Sequence, residues 1–380
     1  MNILINGLTI EEGNIVPLLQ KIKFWQKQEN TIVIVGNEKL KREIGKLRII
    51  NSNYTFIKVQ NTKNIKTKQD LIFEGLKRNI KILRTARGCG NFNVVYTISS
   101  VLDLIIFPFF LKRANKKIKW VTVFDNTVPL NDPGNKIIRF LAWTFFHISL
   151  VLLKKADCIF VISEDLKRYL IKKGFDKEKI ILTGNAVEAD LIKKARKSQK
   201  YNHDALFVGR INETKGIYDM LRVLKVVKKK YPNFQLAIMG RGDDLTEEKY
   251  KNEIKRKNLE KNVKFLGYKT GLEKFNIFRS SKCFLFLSES ESESFGIALL
   301  EAVCCGLPAF AYNLSPYKHI YKNNEVIISK KHDYKSVAEK VIQLFENKNF
   351  ENKKGKLLIN KYSWDKIAKI ELSSLRALVS

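Results

Sequence analysis

The sequence predicts an α/β protein of two domains, each a parallel sheet with helices on both faces. Three observations lead there. The chain has 380 residues, too many for one ordinary domain and comfortable for two. Short β-rich apolar runs alternate along it with longer amphipathic stretches, the order of a parallel α/β chain. The runs are almost wholly apolar, without the polar alternation of a half-solvated sheet, so each is expected to be buried on both faces.

In the first half the expected strands are Ile3–Asn6, Thr31–Val35, Thr55–Val59, Val94–Ile98, Trp120–Phe124, Cys158–Ile162 and Lys179–Leu182. Helices are expected between most of them, among them Asn14–Gln28, Lys68–Thr85 and Glu164–Lys173. The polar stretch Glu188–Asp204 reads as the boundary, giving domains 1–190 and 191–380. Strands at Ala205–Val208, Gln235–Met239, Val263–Leu266, Cys283–Leu287 and Ala309–Tyr312 follow, with helices Lys215–Tyr231, Thr246–Lys257, Leu272–Ser280 and Phe295–Cys305. A basic helical tail, Asp333–Ser380, ends the chain, its last helix free to pack back on the first domain. In such sheets ligands gather beyond the carboxyl ends of the strands.

Two stretches are unusually apolar. Ile137–Leu153 is broken by Arg139 and His147 and falls short of the ~20 residues that span a bilayer. Val101–Leu111 contains Asp103 and Pro108. Both read first as core-packed helices, and second as a face touching anionic lipid, because Lys112, Arg113, Lys116, Lys117 and Lys119 flank them. Net charge is +32. It divides into +15 for residues 1–190 and +17 for 191–380, an evenness that suits solvated lysine-rich faces. Residues 58–119, however, hold 14 basic and 3 acidic residues, a stripe suited to an anionic membrane or another polyanion. No RNA motif interleaves aromatics with those cations, so no nucleic acid is expected. Five cysteines at irregular spacing form no disulfide framework and read as reduced thiols of a cytosolic protein. Four scattered histidines build no zinc site. No secretory leader is expected from the opening residues, which read straight into a strand.

The chemistry concentrates in the second half. Glu293 and Glu301 stand eight positions apart in Glu-Ser-Phe-Gly-Ile-Ala-Leu-Leu-Glu, between an expected strand and helix. The amides of Phe295 and Gly296 then lie at a helix N-terminus, where free N–H groups and the dipole favour a phosphate. Gly296 lets the backbone approach closely. Taken alone the segment reads equally as an acidic loop beside a surface helix. Upstream, a strand ends in Gly209-Arg210, and Lys215-Gly216 opens the next helix. Two cations at a strand's carboxyl end suit a diphosphate, Arg as a planar fork and Lys as a point charge.

With these residues in order, the chain resembles the glycosyl transferases group 1 family of retaining enzymes. The likeness is dense over 204–312: Gly-Arg…Lys-Gly, Ile238-Met239-Gly240-Arg241-Gly242, Val263-Lys264-Phe265-Leu266-Gly267-Tyr268, the paired glutamates and Cys305-Gly306-Leu307-Pro308. Weaker matches run through Ala156–Glu164 and Asn185. The resemblance implies the GT-B fold, two Rossmann-like domains facing across a cleft, acceptor on the first and nucleotide sugar on the second. It implies that Arg210 and Lys215 neutralise the donor diphosphate and that Glu293 binds hydroxyls of the transferred sugar. Phe295 and Gly296 amides would lie near sugar and phosphate, and Glu301 would hold the ribose. Gly209, Gly240 and the main chain near Tyr268 would border the nucleotide. Gly13 resembles a glycine loop that closes over the donor.

There are departures. Phe124 stands where the family often has histidine, leaving Asp125 or Asn126 to serve the sugar or acceptor, and Asn185-Ala186 replaces Asn-Gly. The implied reaction moves a hexose-type sugar from UDP or GDP, with retention, to a glycan or lipid-linked acceptor in surface polysaccharide or glycoconjugate synthesis. Domain closure would exclude water. No Asp-x-Asp motif is present, so cationic side chains are expected to replace a metal and no cofactor is expected. The expected place is the cytoplasm or the inner face of the cell membrane. Two rivals fit less of the chain: a nucleotide-sugar epimerase on the same fold, and a non-catalytic basic protein binding membrane or RNA.

Overall fold

A computed structural model of the chain describes residues 1–8, 12–59, 77, 79–80, 91–130, 136–290 and 292–380. They fall into two compact units. The first runs to Ala186 and takes back Trp364–Ser380; the second is Val187–Ser363. The stretch 188–204, expected as the boundary, belongs to the second unit and contains the short helix Ala189–Lys194.

The first unit is built on seven strands: β1 (Asn2–Asn6), β2 (Thr31–Gly36), β3 (Thr55–Lys58), β4 (Val94–Thr97), β5 (Lys119–Phe124), β6 (Cys158–Val161) and β7 (Ile180–Leu182). They form one parallel sheet in the order β3-β2-β1-β4-β5-β6-β7. β4 and β6 are buried at every position, which explains their unbroken apolar sequence. The order reverses direction at β1, whose neighbours are β2 and β4. Most of the expected helix Lys68–Thr85, and Cys89, lie outside the described residues.

The second unit repeats the plan with β8 (His203–Val208), β9 (Leu236–Met239), β10 (Val263–Gly267), β11 (Ser281–Phe286), β12 (Ala309–Tyr312) and β13 (Ile327–Ser329). These too are all parallel, in the order β10-β9-β8-β11-β12-β13. β13 was not foreseen, because three residues are too short a run to stand out. Its neighbour β12 is fully buried. The reversal falls at β8, between β9 and β11.

Of the two apolar stretches, the helix Leu102–Ala114 buries Leu104, Ile105, Phe107, Pro108 and Leu111, as core packing requires. The helix Lys136–Leu153 corrects that expectation. It buries Phe146, Ser149, Leu150 and Leu153, while Ile137, Phe140 and Val151 are 72%, 57% and 68% exposed.

The C-terminal helix Trp364–Val379 is locked into the first unit by a buried polar cluster. Glu371 is fully buried and accepts from Lys21 Nζ at 2.6 Å and Tyr96 Oη at 2.8 Å. Lys21 Nζ also lies 3.0 Å from the Tyr96 hydroxyl. Trp25 Nε1 donates to the Ala368 carbonyl at 3.1 Å. Burial, followed by the Glu371 charge, holds the Tyr96 phenol far above its ordinary pKa, so it stays a donor. Removing one partner of such a pair leaves a buried charge uncompensated. Glu371→Ala should therefore lower stability in urea unfolding by about 3–5 kcal/mol. Lys21→Met combined with Glu371→Leu should recover most of that loss; a cost for Glu371→Ala within about 1 kcal/mol would show the cluster to be dispensable.

Candidate active site

The reversal of strand order at β8 opens a crevice between the loops that follow β8 and β11, where ligands of such sheets bind. The residues expected to grip a donor lie there. After β8 the chain runs through Gly209 and Arg210, makes a short 3-10 turn at Glu213–Lys215, and enters the helix Ile217–Lys230. The helix thus begins later than expected, and Lys215 sits in the turn before it. Gly216 connects the two at φ 69°, the left-handed region. A Cβ there would come 1.8 Å from the Leu287 carbonyl oxygen, so only glycine lets this loop lie against the one after β11.

That approach is sealed by hydrogen bonds. The Glu289 amide donates to the Thr214 carbonyl at 2.9 Å, and Ser288 Oγ lies 3.3 Å from the same oxygen. The result is a direct ion pair between the two loops: Lys215 Nζ stands 2.5 Å from Glu293 Oε2. Ser288 Oγ, itself buried, is 3.2 Å from that same carboxylate oxygen. The Lys215 ammonium also sits over the Phe286 ring, 5.7 Å from its centroid. Arg210 is exposed and makes no hydrogen bond or ion pair among the described residues, so its guanidinium is available to an anion.

The helix after Glu293 spans Ile297–Cys304, with Gly296 as its left-handed N-cap at φ 73°. Phe295, expected inside the helix, precedes it, and its ring is buried edge-on against Tyr362. Only its main chain is therefore offered to a ligand. Glu301 lies in the second turn, 6% exposed, with Oε1 2.6 Å from Lys274 Nζ. Lys274 comes from the helix Gly271–Ser280. Burial works against its ammonium, yet the Glu301 carboxylate outweighs that by charge and hydrogen bond, and its pKa lies above the ordinary lysine value. Neither Lys274 nor Ser288 was singled out in the sequence. The signal for Lys274 was the buried carboxylate itself, which demands a cation that no local motif names.

Gly209 and Gly240 bring the next loops together. A Cβ on Gly240 would meet the Gly209 carbonyl oxygen at 1.8 Å. The Gly209 amide donates to Met239 O at 3.1 Å, and the Gly240 amide to Gly267 O at 3.0 Å. Tyr268 follows β10 and is 55% exposed. A separate cluster, Asp219, Glu289 and His332, holds its ligand atoms within 4.8 Å of one another. Asp219 already accepts from Arg222 Nη1 and Tyr312 Oη, each at 2.6 Å, which fits an ion-pair network better than a cation site.

In the first unit, Gly13 is the second residue of the helix Glu12–Gln26, where a loop was expected; residues 9–11 before it lie outside the described residues. Phe124 is fully buried, stacked on Tyr169 at 6.1 Å, and offers nothing to a ligand. Asp125 and Asn126 follow it at the end of β5. Asn126 is exposed. Asp125 accepts from Ser99 Oγ at 3.2 Å, and desolvation raises its carboxyl from 3.8 to about 6. The native state thus holds the Asp125 proton more tightly than the unfolded chain does. Its share of stability is present below about pH 4 and is lost as pH rises towards about 6. Asp125→Asn should remove that share, so wild type minus variant in melting temperature should fall between pH 4 and 7; a constant difference would place Asp125 in a solvated setting.

Known proteins resemble the chain at both levels. The family model described as Glycosyl transferases group 1 matches residues 188–360, the span that holds the crevice. An uncharacterized glycosyltransferase of Methanocaldococcus jannaschii is 30% identical over 293 residues, covering 71% of this chain and 68% of that one. A Staphylococcus aureus poly(ribitol-phosphate) alpha-N-acetylglucosaminyltransferase is 29% identical over 56% of this chain and 42% of its own. Among solved structures, Anabaena HepE in complex with UDP and glucose superposes with TM-score 0.78 at 14% identity, over 99% of each chain. A glycosyltransferase of Rickettsia africae gives 0.77 at 16% identity, over 100% of this chain and 98% of its own. On the family match, the relatives and the shared architecture, this chain is a glycosyltransferase of the glycosyl transferases group 1 family, with the GT-B fold.

Proposed function

We propose that the protein is a retaining hexosyltransferase that uses a UDP- or GDP-linked sugar, needs no metal, and acts on a glycan or lipid-linked acceptor in surface polysaccharide or glycoconjugate synthesis. The observation that carries this reading is the Lys215–Glu293 pair at the reversal of the second sheet, with Arg210 exposed in the same loop. A leaving diphosphate gathers negative charge as the bond to the anomeric carbon breaks. Lys215 is a cation fixed where that charge would develop, with Arg210 exposed beside it, and a fixed donor stabilises such charge without reorganising. The two cations do the work a metal would otherwise do as Lewis acid. Glu293, held by Lys215 and Ser288, keeps one carboxylate oxygen for hydroxyls of the sugar. Glu301, anchored by Lys274 through Oε1, keeps Oε2 for the ribose diol. Phe295 and Gly296 supply main-chain groups, and Gly209, Gly240 and Tyr268 border the base. In this reading retention needs no covalent enzyme nucleophile, since the departing phosphate can take the acceptor's proton.

Two of the relatives support a reading with an anionic acceptor. The Staphylococcus aureus protein is named for a poly(ribitol-phosphate) acceptor, and a Mycobacterium leprae relative, 28% identical over 48% of this chain, for phosphatidyl-myo-inositol. Both acceptors are anionic, which suits a strongly basic chain. We place the protein in the cytoplasm, at the inner face of the membrane, with Asp125 and Asn126 towards sugar or acceptor.

The test is a melting-temperature panel of UDP- and GDP-sugars with EDTA present. A donor at about a hundred-fold excess over its dissociation constant adds about 2.7 kcal/mol, or ~5–10 °C for a unit of this size. One base should give that rise, EDTA should spare it, and Glu301→Ala should abolish it. Donor turnover that appears only when acceptor is added separates transfer from epimerisation; turnover without acceptor, or a rise that EDTA removes, would contradict the reading.

A further inference from the structure

The helix Lys136–Leu153 is apolar on both sides, and only one side has a core to fill. At about 100° per residue, the buried Phe146, Ser149, Leu150 and Leu153 share its inner face. Phe140, Leu141, Ile148 and Val151 share the opposite face, 57%, 39%, 44% and 68% exposed. Soluble surfaces seldom leave a contiguous apolar stripe of this length uncovered. Its two hydroxyls and its histidine bond to the helix's own backbone. Thr144 Oγ1 donates to the Phe140 carbonyl at 2.9 Å, Ser149 Oγ donates to Phe145 O at 2.9 Å, and His147 Nδ1 lies 2.9 Å from Trp143 O. Hydroxyls satisfied on their own backbone leave a helix surface that asks nothing of a polar solvent.

The surroundings are cationic. Residues 101–155 carry nine Lys or Arg against three Asp and no Glu. Lys136 and Lys155 are exposed at the two ends of the helix, and Arg113, Lys116 and Lys117 on the helix packed against it and its following turn. Phe110, 48% exposed, belongs to that neighbouring helix. An apolar stripe among cations, with almost no acids, is complementary to one surface: headgroups that are anionic above acyl chains. A second copy of the chain would bring the same cations face to face.

We propose that this face is a docking surface for an anionic lipid bilayer, the helix lying in the plane of the headgroups. It does not cross. Its inner residues are committed to the core, where Phe146 packs against Phe124 and Tyr169, and its 18 residues rise only ~27 Å. Phe140, Ile148 and Val151 enter the acyl boundary, while the basic side chains reach phosphate. The inference gives the proposed lipid-linked acceptor its place and rests on that reading for its purpose.

The protein carries its own reporter. Trp25, Trp120 and Trp364 are buried, whereas Trp143 lies partly exposed on this helix. Full-length protein is mixed with phosphatidylcholine vesicles, with and without about one third phosphatidylglycerol, and read by cosedimentation and Trp143 emission. Wild type should bind the anionic vesicles with a blue shift that brominated lipid quenches, weakly at high salt and hardly at all to the neutral ones. Phe140→Ser with Val151→Ser should weaken binding by about ten-fold or more, and Lys116→Glu with Lys117→Glu should remove the low-salt gain. Both pairs are exposed, and each variant is checked for the donor-dependent melting rise. Loss of lipid binding with that rise intact, or the reverse, separates this surface from the transferase site. No binding of wild type to anionic vesicles, or equal binding by the serine variant, overturns the proposal. So does a wild-type dimer that the serine variant dissociates.

Discussion

A parallel sheet covered on both faces leaves its ligand-facing groups one place to go, the loops beyond the carboxyl ends of its strands. In the second unit that constraint is tightened by contact between backbones. Gly216 against Leu287 and Gly240 against Gly209 are approaches that a single methyl group would block. The first sets the spacing at which Lys215 meets Glu293. The ion pair is therefore a product of main-chain packing: Gly216 brings the loops within reach, and the amide of Glu289 and hydroxyl of Ser288 hold them. The charges then have a fixed geometry before any ligand arrives, which is what preorganised stabilisation of a leaving group requires.

A second regularity is that three carboxylates set below the surface each hold one committed lysine. Glu293 has Lys215, Glu301 has Lys274, and Glu371 has Lys21. In a chain with 70 basic and 38 acidic residues, most cations stay in solvent, and these few are the ones that packing has selected. Two of the pairs lie in the candidate site, and the third secures the C-terminal helix to the first unit. Glu293 and Glu301 each leave one carboxylate oxygen uncommitted, as their proposed role towards hydroxyl groups requires, whereas Glu371 uses both oxygens on Lys21 and Tyr96 and is structural.

The fold was legible in the sequence because burial on both faces writes each strand as an unbroken apolar run; β12 matches its expected range to the residue. Helix starts were less legible. At Lys215 and at Phe295 the turn chemistry of Gly216 and Gly296 delays the helix by two residues, since a left-handed residue ends one conformation before the next begins. Glu293, Glu301, Arg210 and Lys215 could be picked out because their spacing is local. Lys274, Ser288 and the Lys21–Glu371 cluster could not, as their partners lie 27, 74 and 350 positions away and only the folded sheet order joins them. The apolar stretch 137–153 was read first as a core-packed helix and only second as a lipid-touching face, because composition does not tell which side of a helix faces protein.

The central claim is that the crevice at β8 and β11 is built for a diphosphate. Calorimetric titration of UDP and GDP against their parent nucleosides, on wild type and Lys215→Met, tests it most directly. The account predicts that one diphosphate binds far more tightly than its nucleoside, and that Lys215→Met sharply reduces the difference while leaving the weak nucleoside affinity unchanged. Equal affinity for nucleoside and diphosphate in the wild type, or a diphosphate preference undiminished in Lys215→Met, would contradict it.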